Sequence, residues 1–286
     1  MTEKMLRIRL AGQMTDMDEF TKFEHEGWER VAGQYEKIWA SLTTQFIGPL
    51  LEAAGINRGM SVLDVACGPG YVSASAKRLG AVPTGIDFSG EMVLRAKRRN
   101  AEIKFVEGDA QKLPFAEETF DRVVINFGLL HFSKPEKALS EAGRVLKHGG
   151  KLAFTLWATP DDSPGAKITE DAFEKHANMD VGLPKGPEYY LFSEKEKCRK
   201  VLESAGFSGK TMSFETVCKN WKVPTANFPF EATLNAGVRN AGMLTRQSKE
   251  KLEAIRKDME EGVKRFAVAD GYEVPMGAYI VSVSSV

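Results

Sequence analysis

The sequence is sparing with the residues that staple or metallate small folds. Its 286 residues include three cysteines, Cys67, Cys198 and Cys218, odd in number and far apart, and four histidines scattered without ligand spacing. Neither a disulfide framework nor a zinc site is expected from that pattern, and no other metal either. Asp161-Asp162 reads as a loop pair. No apolar run reaches the roughly 18–20 residues of a membrane span. In residues 1–18, Lys4, Arg7 and Arg9 interrupt isolated apolar positions, leaving neither the hydrophobic core nor the small-residue cleavage site of a secretory leader. The expectation is a cytoplasmic protein with no stable membrane association. Net charge is missing as well: 39 basic residues balance 39 acidic ones, so no basic stripe for nucleic acid stands out. Whether the chain is a monomer or a homodimer is left open.

What the sequence does have is enough apolar residue, 43%, to bury one large α/β domain with insertions. From Ser61 onward, short β-rich runs alternate with helical ones. Ser61–Ala66, Val82–Asp87, Ile103–Val106, Phe120–Asn126 and Lys151–Trp157 read as five strands. The continuous apolar stretch of the fourth suits a central parallel position. Ser89 is placed to cap one intervening helix, with Glu91 in its first turn. Ser133-Lys-Pro-Glu136 spells a capping box for another, expected to run to Lys147 and stop at Gly149-Gly150. Strands separated by helices of this length make a parallel doubly wound sheet.

The regularity lapses twice. Residues 158–192 hold four prolines and three glycines and end in Tyr189-Tyr190 and Phe192. A helix over Glu194–Ala205 and a strand over Lys210–Val217 then resume the core, before a second excursion at about 222–270. Its later half spaces Leu252, Ile255, Met259, Val263 and Phe266 by three and four, the pattern of an amphipathic helix with a solvated outer face. Ala278–Ser284 closes the set as a seventh strand. Upstream, Trp28, Tyr35, Trp39 and Phe46 recur at helical intervals. The expected organisation is a helical cap segment, 1–47, and a sheet domain, 48–286, with cap insertions at about 158–192 and 222–270.

The most informative stretch is Asp64-Val-Ala-Cys-Gly-Pro-Gly70, where the first strand ends in a turn. Gly68 and Gly70 let backbone approach a ligand at the C-terminal edge of the sheet, where open α/β folds bind their ligands. A lone Gly-x-Gly is equally a tight strand–helix turn, but three more features accompany it. Asp87 ends the second strand 23 residues after Asp64, where a carboxylate can accept both hydroxyls of an adenosine ribose. Gly108-Asp109-Ala110 follows the third strand, within reach of an adenine amine. Finally, the third glycine position of a nicotinamide fingerprint is Ser73, which counts against a dehydrogenase.

These segments resemble, in order and spacing, the class I S-adenosylmethionine-dependent methyltransferases, and more narrowly their ubiquinone/menaquinone-type small-molecule group. Val62–Gly70 is similar to the first family motif, Gly85–Met92 to the second, Gly108–Phe115 to the third and Phe120–Phe132 to the fourth. The resemblance implies an α/β, Rossmann-like doubly wound sheet of seven mostly parallel strands. It also implies S-adenosyl-L-methionine as cofactor, with S-adenosyl-L-homocysteine as product. Ala66, Gly68 and Gly70 would face the methionine portion and Asp64 would support its amino group. Asp87 would hold the ribose, Phe88 and Met92 would sandwich the adenine, and Asp109 and Ala110 would read its edge. Asn126 would offer its carbonyl near the sulfonium, beside Phe127, and Tyr35 would close over the carboxylate. Cys67, at a position the family often fills with cysteine, reads as a small buried residue.

Methyl transfer is a displacement at a sulfonium carbon and mainly needs alignment, with a general base where the acceptor carries a proton. His131, five residues past Asn126, is the best-placed base; a structural loop histidine is the alternative, and the sequence leaves both open. Tyr189, Tyr190, Phe192, Phe228 and Phe230 read singly as core beneath a cap. As a group they suggest a partly apolar, aromatic-accepting pocket for a small molecule. The acceptor atom (O, N or C) is undetermined. The competing classes are a cofactor-binding methyltransferase fold with another role, such as a cyclase, and a nicotinamide oxidoreductase.

Overall fold

A computed structural model describes residues 17–286. Helix α1 (Glu19–Ile38) is capped by Asp18, whose side chain accepts the Thr21 N–H. A short helix, α2 (Ala40–Thr43), a single 3₁₀ turn and α3 (Ile47–Ala54) lead to the sheet. Then follow β1 (Ser61–Val65), α4 (Tyr71–Arg78), β2 (Val82–Asp87), α5 (Gly90–Arg99), β3 (Lys104–Glu107) and β4 (Phe120–Asn126). After α6 (Pro135–Val145) come β5 (Leu146–Trp157), α7 (Pro164–His176), α8 (Lys195–Ser204) and β6 (Ser213–Val223). The chain continues through α9 (Phe228–Ala236), α10 (Arg239–Leu244), α11 (Lys249–Lys264), β7 (Ala267–Val268) and β8 (Gly271–Ser284). No helix among the described residues is long and apolar enough to cross a membrane.

The strand order is β3-β2-β1-β4-β5-β8-β6, with the two-residue β7 paired to β8. The first five strands are parallel, and β8 runs antiparallel between β5 and β6. This is the expected Rossmann-like, mostly parallel sheet of seven strands with one short addition. Val123, Val124 and Ile125 of β4 are wholly buried, because helices cover both faces of a central parallel strand. Leu63, Ile125, Leu152 and Phe154 belong to the core under one face; Val62, Val124 and Ala153 join Leu50 and Leu51 of α3 under the other. A further cluster unites Ile255, Met259 and Val263 of α11 with Phe173 of α7 and Trp221 of β6, so the stripe expected over 252–266 is indeed an apolar face.

Three local readings need correction. The capping box at Ser133 does not form: Lys134 stands at the N-cap without a side-chain bond, and the Ser133 hydroxyl donates to Gln111 Oε1 at 3.1 Å. Gln111 Oε1 also accepts the Lys134 N–H at 2.8 Å, tying the helix start to the loop after β3. Secondly, α6 stops at Val145, because Leu146 already pairs with Phe120; Gly149-Gly150 therefore sit inside β5, beside a register shift. Lastly, β6 starts later than expected and runs six residues beyond Val217. Along Lys219–Val223 only Trp221 and Val223 are buried, a period of two that the surrounding charges disguised.

The turn after β1 depends on Gly70 for packing. Its φ is +81°, and a Cβ there would lie 2.8 Å from the Phe105 ring and 3.2 Å from Ala96 Cβ. Gly70→Ala is expected to cost about 1–3 kcal/mol by overpacking and left-handed strain. The urea midpoint of the variant measures it; an unchanged midpoint would show that the Phe105 ring yields freely.

Candidate active site

Strand order reverses beside β1, which pairs with β2 on one edge and β4 on the other. Such a reversal opens a crevice at the strands' C-terminal ends. There Ala66 (φ +54°) and Gly68 (φ +51°) adopt left-handed backbone, and a Cβ at Gly68 would meet nothing within 4 Å. The space over this glycine is open, as a ligand-facing turn requires. Gly68 N–H donates to Asp87 Oδ2 at 2.8 Å and Ser89 N–H to Asp87 Oδ1 at 2.9 Å. The ribose-assigned carboxylate thus also holds the turn and the entry to α5. The Cys67 thiol is buried; burial and the neighbouring charges of Asp64 and Asp87 push its pKa far up, so it is inert.

Asp64 and Gly70 do not line the cavity that the crevice opens into. Asp64 is buried beneath the turn, where its Oδ2 accepts the Ser73 N–H at 2.9 Å and the Ser73 hydroxyl at 2.6 Å. Its Oδ1 is buried without a hydrogen-bond partner among the described residues. Burial pushes Asp64 up to about 7 and Asp87 up to about 6.

Ala66, Gly68, Asp87, Phe88, Met92, Asn126, Phe127, Tyr35 and His131 all line this cavity. Asp109 and Ala110 line a narrow side pocket, which shares Ala66, Asp87, Phe88 and His131 with it. Asp109 Oδ1 accepts the Gln111 N–H at 2.8 Å, which fixes the loop after β3. At the end of β4, the Thr155 hydroxyl donates to Asn126 Oδ1 and accepts the Phe127 N–H, both at 2.8 Å. Phe127 (φ +57°) stacks on Trp157 at 4.0 Å between centroids. The Tyr35 hydroxyl lies 3.0 Å from Thr43 Oγ1, and burial raises its pKa to about 12.

One residue at the site went unread in the sequence. Glu24 of α1 is fully buried, and its Oε2 lies 2.8 Å from His131 Nδ1 and accepts the Trp28 indole N–H at 3.1 Å. Because the carboxylate is an acceptor, Nδ1 carries the proton and Nε2 is the basic nitrogen of the imidazole. The Trp28 ring packs edge-on against His131 at 4.8 Å. A signal existed: Glu24, Trp28 and Tyr35 share one helical face, so an acid stands in an aromatic row.

Helix α1 is pinned to α5. Glu29 Oε1 accepts the Ser89 hydroxyl at 2.6 Å and the Glu91 N–H at 3.1 Å, and Glu36 pairs with Arg95 and Arg99. Of the aromatic group in the excursions, Tyr189 and Tyr190 line the cavity, whereas Phe192 and Phe230 are core and Phe228 packs on it. The remaining histidines lie elsewhere: His176 Nε2 meets Asp258 at 2.9 Å, His148 is exposed on β5 and His25 packs edge-on against Phe88.

Residues 63–154 match the family described as "Methyltransferase domain". The demethylmenaquinone methyltransferase of Renibacterium salmoninarum is 43% identical over 115 residues, 40% of this chain and 48% of that protein. The chain thus spans about half the length of that relative. The Corynebacterium kroppenstedtii demethylmenaquinone methyltransferase is 30% identical over 62% of this chain and 77% of its own length. A ubiquinone/menaquinone biosynthesis C-methyltransferase of Klebsiella pneumoniae is 33% identical over 60% and 72%, respectively. Among solved structures, a Haemonchus contortus N-methyltransferase matches with TM-score 0.56 at 17% identity, over 94% of this chain and 60% of that one. The [4+2]-cyclase SpnF matches with TM-score 0.50 at 21% identity, over 85% and 80%. At these identities the structures show the fold alone.

The two raised carboxyls give a signed expectation. Both favour the protonated state in the folded, ligand-free protein. Their stabilisation is therefore complete below about pH 4 and is lost as pH rises through about 6 and 7. Surface carboxylates such as Asp121, held down to about 2 by its hydrogen bond with Lys147, act in the opposite sense only below that window. Asp87→Ala should flatten the pH 5–7 decline. It should also lower stability by about 1–3 kcal/mol, because two backbone donors lose their acceptor. Urea titrations of both proteins at pH 5, 6 and 7 check this; identical curves would remove Asp87 from the turn's support.

Proposed function

The chain belongs to the ubiquinone/menaquinone-type methyltransferase family, and on that premise we propose that it transfers a methyl group from S-adenosylmethionine to a ring carbon of a small hydroxylated aromatic acceptor. The observation that carries the reading is the shared cavity. It joins the motif residues Ala66, Gly68, Asp87 and Asn126 to a histidine fixed by a buried carboxylate and to the aromatic walls Trp28, Trp39, Trp157 and Tyr189.

The residues fit the donor. The open space over Gly68 admits a close approach to backbone, and Asp64 Oδ1 is a buried acceptor that still lacks a donor. A cation beside Asp64 and Asp87 would favour their ionised forms, which burial alone disfavours. Asp87 would hold the ribose, Phe88 and Met92 would flank the adenine, Asp109 and Ala110 would meet its edge, and Tyr35 and Asn126 would border the methionine end. When bound, S-adenosylmethionine supplies an electrophilic methyl carbon.

The protein's own work is then alignment and proton removal. The aromatic walls hold a flat acceptor against the donor side of the cavity. His131 Nε2 takes a ring hydroxyl proton, which moves electron density onto the ring carbon. As the methyl leaves sulfur for that carbon, the carbon sheds its own hydrogen as a proton to solvent, and the imidazolium returns its proton to the ring oxygen. Glu24 holds the imidazole in the tautomer with Nδ1–H and stabilises the imidazolium once the proton is taken. The relatives' names favour carbon as the acceptor atom and a quinol-type ring as the acceptor. The chemistry calls for no nucleic acid or membrane partner, and we place the protein in the cytoplasm.

Transfer of label from methyl-labelled S-adenosylmethionine to a dihydroxynaphthalene tests the activity. A protein that binds S-adenosylhomocysteine yet labels no acceptor would belong to the cyclase-like alternative. With an acceptor in hand, turnover should rise with pH, because only a neutral imidazole can take the proton. His131→Gln should lower the rate by about 10²–10⁴-fold and flatten the rise. Glu24→Gln should lower it by a smaller factor with donor affinity unchanged. A His131→Gln enzyme with wild-type rate and pH profile would make His131 structural.

A further inference from the structure

The cavity holds a second charged feature that methyl transfer does not use. Arg95, Arg99, Arg144, Arg199 and Arg256 are each paired with a glutamate. Arg239, the first residue of α10, lines the cavity, and its Nη1 is buried with no hydrogen-bond partner among the described residues. Its guanidinium faces two rings instead, with the carbon centre 5.3 Å from the Phe20 centroid and 5.9 Å from that of Tyr189. Aromatic faces attract a cation only weakly and satisfy none of its in-plane N–H groups. A buried donor without an acceptor is costly, and a planar fork of donors matches the two oxygens of a carboxylate.

The acids nearest this end do not fill that role. The Glu170 carboxylate lines the cavity but accepts from the Tyr190 hydroxyl at 3.1 Å, and burial holds its pKa up. Glu24 is committed through Oε2 to His131 and Trp28, and its Oε1 is buried without a hydrogen-bond partner among the described residues, so it does not bond Arg239 either. The rings of Phe20 and Tyr189 flank the Arg239 guanidinium, and burial first, then the nearby Glu170 charge, hold the Tyr189 phenol well above its usual range. One fixed cation set among aromatic rings suits a monoanion on a flat ligand.

We propose that Arg239 is the anchor for a carboxylate carried by the acceptor, so that the substrate is an aromatic acid rather than a neutral ring. The proposal rests on the methyltransferase reading for the word acceptor; the anion site itself rests on Arg239 alone. An anchor on α10, outside the sheet, would fix the far end of the ring while His131 meets its hydroxyl.

The test uses the full chain saturated with S-adenosylhomocysteine and two probes of the same shape, 2-naphthoate and 2-naphthamide, titrated calorimetrically. The expected result is a preference for naphthoate of at least about tenfold, lost in Arg239→Gln and partly kept in Arg239→Lys. S-adenosylhomocysteine affinity should be the same in all three proteins. Equal binding of the two probes to wild type would overturn the anchor whatever the variants do, as would a preference that survives Arg239→Gln. If the protein binds no S-adenosylhomocysteine yet still prefers naphthoate through Arg239, the donor reading fails and the anion site stands. Should Glu24→Gln abolish the preference while Arg239→Gln keeps it, the discriminating group is Glu24 and the proposal falls.

Discussion

Because β4 pairs with the edge of β1 that β2 leaves free, the chain on leaving β1 emerges between two neighbours whose own ends point the same way. The centre of the donor side of the cavity follows from that pairing. Ala66 and Gly68 come off β1, Asp87 and Phe88 off β2, and Asn126 and Phe127 off β4, one to three residues past the last pair that β1 makes with β2 or β4. Parallel pairing forces the strand C-termini to a common edge, and the reversal of order sends the crossover helices to opposite sides of it, leaving a crevice that α1 then lies across. The site is thus a consequence of topology first and of side-chain chemistry second. The same carboxylate that would grip a ribose is already employed as a backbone acceptor, so site and fold share Asp87.

The part of this legible in the sequence was the part written by local rules. The positive-φ turn announced itself through Gly68 and Gly70, and the burial of β4 through its unbroken apolar run. The helix at 249–264 showed itself through its spacing of three and four. Where the sequence misled, a long-range partner had outbid a local one. Ser133 is a good helix cap by type, but Gln111 lies close enough to take its hydroxyl. Gly149-Gly150 look like a helix stop, yet the strand ladder to Phe120 starts first. Asp64 and Asp87 look alike on paper; the structure buries one beneath the turn and leaves the other at the cavity wall.

Glu24 and Arg239 were illegible for a related reason. Charged residues on helices are usually solvated; the aromatic row of Trp28 and Tyr35 was the one local hint for Glu24, and nothing within ten residues marks Arg239 as an exception. Only the tertiary arrangement, α1 laid across the crevice and α10 brought over from the second excursion, turns them inward. Helix α1 lies where it does because Glu29 occupies the N-terminal end of α5 and Glu36 bridges to its last turns. Residues 29 and 36 therefore decide where residue 24 sits, and residue 24 decides which nitrogen of His131 is basic.

The placement of β8 between β5 and β6 bears on how the sheet is completed. Both neighbours precede it in the chain, β5 by more than a hundred residues, and neither pairs with the other. Until residues 271–284 arrive, each exposes a long edge of unsatisfied amide and carbonyl groups, the kind of edge that templates association with other chains. Folding of this half of the sheet is consequently the insertion of a wedge rather than the growth of an edge. A fragment ending before Gly271 would be expected to aggregate even though every donor-side residue of the cavity lies upstream of it.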